Sequence, residues 1–457
     1  MRTVRYIAAI AVFVFMVAAC HAQDAPADTD ETEPGPLKVG ISSVDITPEG
    51  PVWMAGFAAR DKVSEGVYRP IIAQCLVFDN GQTRLAFITM DLCKIYEREL
   101  HAFQEAAADV GIPPQHVMVN WSHTHCGPHL SRPESAEYRE VFAEKTLPLL
   151  QQAVDDLQPA VLDYTVGSCT MAVNRRQLDE NHKSVGMRPE PRKEIDPDVP
   201  VLRVLSPDGT VRVVIFGYAC HPTTMGGYEI GTDYPGFARD WVKAAYPDAE
   251  PVFMQGCAGD IKPRYVKPNG RFGYVLLSEK ETVAEMGHEL GRAVCTATCV
   301  PLSPVPADRP EDLEEAAEHP VPLGGIAERV HIPDLDTEGK YHTIYNGAWR
   351  VGDVYIFGSQ CEIGSQIGLR IKRALADMRV WTNGYTFWGG GYITDAEQYP
   401  EGGYEVDRAS TVAPGTDSIL VKNAIRYIRE LEDTPLHEGP IVDPDAKPDD
   451  EESEEQG

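Results

Sequence analysis

The apolar residues Val117, Val119 and Trp121 alternate with Met118, Asn120 and Ser122. That period of two belongs to a strand, in which side chains two apart share a face. His123 and His125 extend the Val117, Val119 and Trp121 face, and Gly127-Pro128 ends the segment. The same patterning predicts paired strands at Ile71–Phe78 and Leu85–Asp91 joined by an Asp79-Asn80-Gly81 turn. It predicts further strands at Val161–Val166, Val201–Leu205, Val211–Tyr218, Pro251–Gln255, Val351–Phe357 and Trp381–Phe387. Helical spacing of apolar positions marks Glu97–Val110, Tyr138–Leu157, Phe237–Ala245, Glu281–Ala297, Ile363–Asp377 and Ser418–Leu431. Helices alternate with strands and hairpins, so the expected class is α/β (α+β), with a mixed β-sheet core covered by helices in a single large domain over 37–437. No internal repeat is visible in the residues.

Composition changes this picture mainly at the ends. With 457 residues and 43% hydrophobic content the chain can bury a sizeable core, and its formal charge of −29 argues against nucleic acid as a partner. Residues 1–19 read as a lipoprotein-type signal: Arg2 and Arg5, an apolar run Ile7–Val17, then Val17-Ala18-Ala19-Cys20 in the pattern of a bacterial lipobox. An ordinary secretory signal cleaved near Ala22 is the alternative. The first reading implies export to a bacterial cell envelope and membrane attachment through a lipid anchor at Cys20. Residues 20–36 form an acidic tether and 438–457 an acidic tail, both expected to be disordered. Of the 10 cysteines, Cys295 and Cys299 are a candidate disulfide pair if the backbone permits; Cys126, Cys220, Cys257 and Cys361 fall inside the polar strand-end stretches.

Chemistry gathers where strands end, which is where open α/β sheets place their sites. Neutral imidazole is the commonest protein ligand for zinc, so His123 and His125 side by side suit a metal; taken alone they are equally two polar residues bonded to nearby backbone. His221 leaves the apolar strand Val211–Tyr218 beside Pro222. Glu362 precedes a helix and either caps it or binds a cation. Tyr392 is a ligand or one more buried aromatic, and Arg175 a functional or an ordinary surface arginine.

Taken in order, His123-Thr124-His125-Cys126-Gly127-Pro128, Asn174-Arg175, His221-Pro222, Gly259-Asp260-Ile261 with Pro263, Glu362, Gly391-Tyr392-Ile393-Thr394, Tyr404-Glu405-Val406 and Ala409-Ser410-Thr411 resemble the catalytic domain of the neutral/alkaline non-lysosomal ceramidases. Asp45-Ile46-Thr47 and Met54-Ala55-Gly56-Phe57 resemble that family's opening, and the likeness runs from Leu37 to Leu431. It implies one Zn²⁺ per chain, held by His123, His221, Glu362 and Tyr392. It implies catalytic roles for His125, as a pocket histidine that contacts substrate, and Arg175, at the oxyanion, and a substrate pocket including Gly56, Asp260, Lys262, Arg264 and Tyr404. An imidazole with an ordinary pKa near 6.5 also suits His125 to shuttle a proton to the leaving group. The implied activity is amide or ester hydrolysis by zinc-bound hydroxide on an N-acyl substrate, a sphingolipid or an anionic compound.

The sequence departs from the family at three places. Lys262 stands where the family has a serine proposed as nucleophile; a lysine does not replace a hydroxyl in acyl transfer, which favours the zinc route. The family carries an additional β-sandwich where this sequence has an acidic stretch. The segment between Glu362 and Tyr392 is shorter, and Arg264 replaces an asparagine. Lys262 and Arg264 lead to the expectation of an anionic group on the substrate. Two other functions stay open: a zinc-binding envelope lipoprotein without turnover, and a hydrolase of sugar- or peptide-linked amides.

Overall fold

One local order of elements recurs three times along the chain: three antiparallel strands, a helix, and a fourth strand that returns parallel to the third. The first unit is Lys38–Asp45, Ile72–Asp79, Arg84–Met90, the helix Glu97–Asp109 and Val117–Trp121. The second is Val161–Ser168, Asp198–Leu205, Val211–Tyr218, the helix Tyr234–Ala245 and Glu250–Gln255. The third is Leu323–Pro333, Tyr341–Val351, Val354–Ser359, the helix Ser365–Ala374 and Arg379–Asn383. The repetition lies in topology and not in residues, which is why the sequence shows none. The computed structural model describes residues 34–432. The signal segment 1–19, Cys20, most of the 20–36 tether and the 438–457 tail lie outside the described residues. Gly35 is already packed, its N–H donating to the Asn80 carbonyl at 3.0 Å.

The mixed α/β class predicted from the patterning is the class observed, with mixed sheets and covering helices. The units meet at the C-terminal ends of their parallel strands. Asn120 Nδ2 donates to the carbonyls of Gln255 (3.2 Å) and Gly384 (3.1 Å), and Asn120 Oδ1 accepts from the Gln255 N–H at 2.8 Å. One side chain therefore ties all three units together, each of its bonds buried and satisfied. Trp121, Trp349 and Trp381, all essentially inaccessible, belong to the same hydrophobic core. The Trp381 indole lies so close to Gly217 that a Cβ there would stand 2.7 Å from the ring.

Third strands end at Met90, Tyr218 and Ser359. Three positions further along each lie Cys93, His221 and Glu362. Topology alone thus delivers one ligand-type side chain per unit to the same end of the core.

Several expectations are corrected. The helix expected over Tyr138–Leu157 is two helices, Ala136–Thr146 and Leu149–Asp155, because Pro148 lacks the N–H a continuous helix needs. The strand expected over Trp381–Phe387 stops at Asn383; Tyr385 (φ 57°) and Phe387 (φ 62°) turn left-handed. The strands Leu323–Pro333 and Tyr341–Val351 are unpredicted. Both carry many glycine, charged and polar residues, and much of the first stays partly exposed. All nine described cysteines are free thiols; Cys299 Sγ donates to the Cys295 carbonyl at 3.1 Å, one helical turn back, with no bridge between them. Among the described residues no helix is long and apolar enough to cross a membrane.

Candidate metal centre

Val117–Trp121 pairs parallel with Arg84–Met90, and the pairing continues after the strand: the Ser122 and His123 N–H groups donate to the carbonyls of Met90 and Leu92, each at 2.9 Å. His123 has φ 64°, so it does not simply extend the Val117–Val119–Trp121 face as strand alternation predicts. The left-handed residue swings its ring inward, and its centroid lies 4.9 Å from that of His125 and 5.0 Å from that of His221. Cys361, just before Glu362, has φ 82°. Two rare backbone conformations next to converging polar side chains are the usual form of stored strain at a functional site.

Glu362 and Tyr392 are brought together by a parallel two-residue ladder in which they are direct partners. Glu362 does not cap the following helix. That helix starts from Gly364 without a side-chain cap, and the carboxylate turns to the histidines. Glu362 Oε2 lies 3.0 Å from His221 Nε2 and 3.2 Å from His123 Nε2, and the Tyr392 hydroxyl is 3.2 Å from His221 Nε2.

The donor set determines what fits here. His123 Nδ1 donates to the Cys93 carbonyl at 2.7 Å, and His221 Nδ1 to the Ala258 carbonyl at 2.6 Å. Each ring therefore turns a lone pair on Nε2 toward the carboxylate, in the carbonyl-supported tautomer typical of metal-binding histidine. Imidazole nitrogens and a carboxylate facing one another at 3.0–3.2 Å hold either a proton or a metal cation between them. Those separations approach the edge of roughly 3.3 Å expected for a tetrahedron with bonds near 2.0 Å. His123, His221 and Glu362 thus form a group able to hold a metal ion; Cys93, His123 and His125 form a second, overlapping one.

Without an ion the electrostatics are those of a site holding one displaceable proton. Burial works against the charged form of His123, but Glu362 and Cys93 reverse this and push it up to about 10. Burial, then Arg175, push His221 down to about 4. Burial would raise Glu362; His123 and His221 instead hold it well below the carboxylate range. A metal must displace the proton between His123 and Glu362, so loading releases it.

Arg175 sits behind Tyr392. Its Nε donates to Glu405 Oε1 at 2.6 Å and its Nη2 to the Tyr392 hydroxyl at 3.2 Å; Nη1 lies 3.5 Å from His221 Nε2. Glu405 takes a second arginine, Arg176, on its other oxygen at 2.5 Å. The guanidinium is thereby locked with two N–H corners toward the centre. His125 Nε2 is 3.2 Å from His123 Nε2, and its Nδ1 is buried without a partner. Burial, then His123 and His221, hold His125 well below its ordinary range, as a neutral imidazole. Tyr404 packs edge-on against Tyr392, ring centroids 5.8 Å apart, at the mouth.

Other residues expected in the pocket stand elsewhere. Asp260 is a brace: its Oδ2 accepts from Asn174 Nδ2 (2.9 Å), its Oδ1 from the Ser365 N–H (2.8 Å), and its carbonyl from the Arg175 N–H (2.9 Å). Arg264 points into a different cleft, its side chain about half exposed and 3.9 Å from Glu289. Lys262 is buried and is not among the residues lining the pocket, its ammonium 4.7 Å from the Tyr274 ring and 5.1 Å from that of Phe272. Burial, then Arg175, push it down to about 8. Gly56 does line the pocket. At φ 98° it lies so close to His125 that a Cβ would stand 2.3 Å from Cγ. Gly56→Ala is expected to displace His125 and lower kcat by roughly 10- to 100-fold while leaving metal content intact, read by steady-state kinetics with metal analysis.

Sequence reasoning missed Tyr385, whose hydroxyl is 3.5 Å from Glu362 Oε2 and whose ring lies 4.7 Å from that of His123. It missed Cys93 as well. Both follow strand ends, the same signal that found His221. It also missed Arg60, Lys94 and Arg132 on the walls of the pocket, about 300 Å³ in volume, that opens from His123, His125, Glu362 and Tyr392 to solvent. No sequence signal separates these cations from ordinary surface ones.

No protein-family model matches the chain. Among solved structures it is similar to the neutral ceramidase from Pseudomonas aeruginosa, with 18% identity over 88% of this chain and 75% of that one, at a TM-score of 0.70. It is also similar to a ceramidase complexed with C2, with 18% identity over 87% of this chain and 75% of that one, at a TM-score of 0.69. At this identity the likeness is one of fold.

Proposed function

We propose that this chain is a zinc-dependent hydrolase of N-acyl amide or ester bonds, with site chemistry of the neutral ceramidase type. The observation that carries the reading is the convergence of His123, His221 and Glu362 on one point, with Tyr392 and Arg175 alongside. The fold shared with ceramidases supports it. When bound, zinc supplies a Lewis acid that polarises a carbonyl and lowers the pKa of a bound water to about 7.

The chain's own residues perform the rest. Two neutral imidazoles and one carboxylate leave a divalent ion with net positive charge. Arg175 presents Nη1 and Nη2, fixed by Glu405, where a tetrahedral oxyanion develops, and pre-positioned donors of this kind cost no reorganisation during reaction. His125, held neutral, accepts a proton at Nε2 and returns it to the leaving nitrogen or oxygen. Tyr392, under the Arg175 fork, would be the fourth ligand. No serine stands at the Lys262 position, so no acyl-enzyme on that residue is part of the reading. Metal analysis of the purified protein is expected to give one zinc per chain. Release of fatty acid from N-acyl amides is expected to stop on chelation and return with zinc. Stoichiometric zinc without turnover on any N-acyl amide would leave a binding protein instead.

A further inference from the structure

We propose that the pocket selects N-acyl substrates carrying a carboxylate, or an equivalent anion, next to the amide that is cleaved. This rests on the hydrolase reading for the bond broken; the anion site itself rests on the pocket walls. The chain has a formal charge of −29, yet Arg60, Lys94 and Arg132 line this one pocket, and its only carboxylate, Glu362, faces the histidines.

None of the three cations pairs with a carboxylate among the described residues. Arg60 spends Nη1 on the carbonyls of Ala55 (2.7 Å) and His125 (2.5 Å) and Nε on that of Gly227 (3.0 Å); its Nη2 is buried with no partner. Arg132 lies over the Trp53 ring at 4.1 Å, and Lys94 over Tyr96 at 5.4 Å. Many other buried cations are matched: Arg175 and Arg176 by Glu405, Arg203 by Asp163, Arg239 by Asp91, Lys372 by Asp196. Half-buried charges left without counter-ions cost free energy unless a ligand supplies the anion. Burial, then Lys94 and Arg132, hold the adjacent His129 below its ordinary range, as expected for charges clustered at one rim. A concave wall with aromatic backing suits a small anion better than a membrane surface. An uncharged amide gains nothing from it. The cations expected to do this from the sequence, Lys262 and Arg264, are replaced by three others.

The test compares N-lauroylglycine with N-lauroylethanolamine, which share chain and amide and differ in carboxylate against hydroxymethyl. With the zinc-loaded full chain, kcat/KM is expected to favour the carboxylate at least 10-fold at low salt, the ratio shrinking as salt screens the contact. The double variant Lys94→Met/Arg132→Met is expected to bring the ratio to about 1. A second measurement needs no turnover: calorimetric binding of dodecylsulfonylglycine, a sulfonamide that is not hydrolysed, weakened at least 10-fold in the double variant. Equal turnover of the two amides by the unaltered protein overturns the proposal and leaves the hydrolase reading standing. Equal turnover together with strong binding to phosphatidylglycerol vesicles also overturns it, and reassigns the cations to a lipid surface. Turnover of neither amide with Lys94- and Arg132-dependent sulfonamide binding supports the anion site and removes the hydrolase reading.

Discussion

His221→Ala is expected to empty the metal centre and lower hydrolysis by about a thousandfold or more, the scale of losing metal activation of water. The imidazole stands between Glu362 and Tyr392, 3.0 and 3.2 Å from their oxygens. Its ring is aimed at them by the Ala258 carbonyl on the far nitrogen. What remains around Glu362 is His123 and the Tyr392 phenol, a weaker set for tight zinc. Cys93 and His125 lie beside His123, so zinc retained there without turnover would point to that neighbouring group. The checks are zinc per chain by elemental analysis, and hydrolysis measured with and without added zinc. Circular dichroism confirms that the strand end still folds. Full activity with stoichiometric zinc in this variant would sink the assignment of His221.

The second large effect is expected at Arg175. Arg175→Lys keeps the charge but loses the planar fork that reaches Glu405 and Tyr392 together. A drop in kcat of roughly 100- to 1,000-fold, with KM and zinc content nearly unchanged, is the result expected of an oxyanion donor. A merely structural arginine would behave differently. The substitution would then weaken the pairing with Glu405, which Arg176 still holds on its other oxygen, and lower stability, with activity falling only as far as the folded fraction. Denaturant unfolding run beside the kinetics separates these cases. Lost zinc with unchanged kcat per bound zinc would make Arg175 a support for Tyr392 alone.

Much of the scaffold was legible because its signals are local. The hairpin from Ile72 to Met90 was visible in alternating apolar residues around Asp79-Asn80-Gly81, and the turn forms through the Asn80 side chain, which accepts from the Gln82 and Thr83 N–H groups. Helices at Glu97 and Thr416 carry strong apolar stripes. The strands at Leu323 and Tyr341 were not legible, because stretches rich in glycine, charged and polar residues do not alternate cleanly. The break at Pro148 was legible in principle, since proline inside a helical pattern signals an end.

The candidate site divides along the same line. His123, His125, His221, Glu362 and Tyr392 stand in named stretches that the chain order alone picked out, and they meet. Asp260 and Lys262 stand in an equally suggestive stretch, yet one braces strands and the other lies behind Tyr274. Which way a side chain turns at a strand end depends on a single dihedral, such as the left-handed φ of His123, and on partners hundreds of positions away.

By itself the sequence determined which residues have the chemistry to bind a metal and activate an acyl group, and that strands would carry them to their ends, because both follow from residue type and short-range periodicity. Only the tertiary structure decided which of them share one centre, and that Arg60, Lys94 and Arg132 wall it in place of Arg264. It also revealed the threefold recurrence of one strand order. Those outcomes are set by packing between units far apart in the chain, where the free energy belongs to contacts that no local pattern encodes.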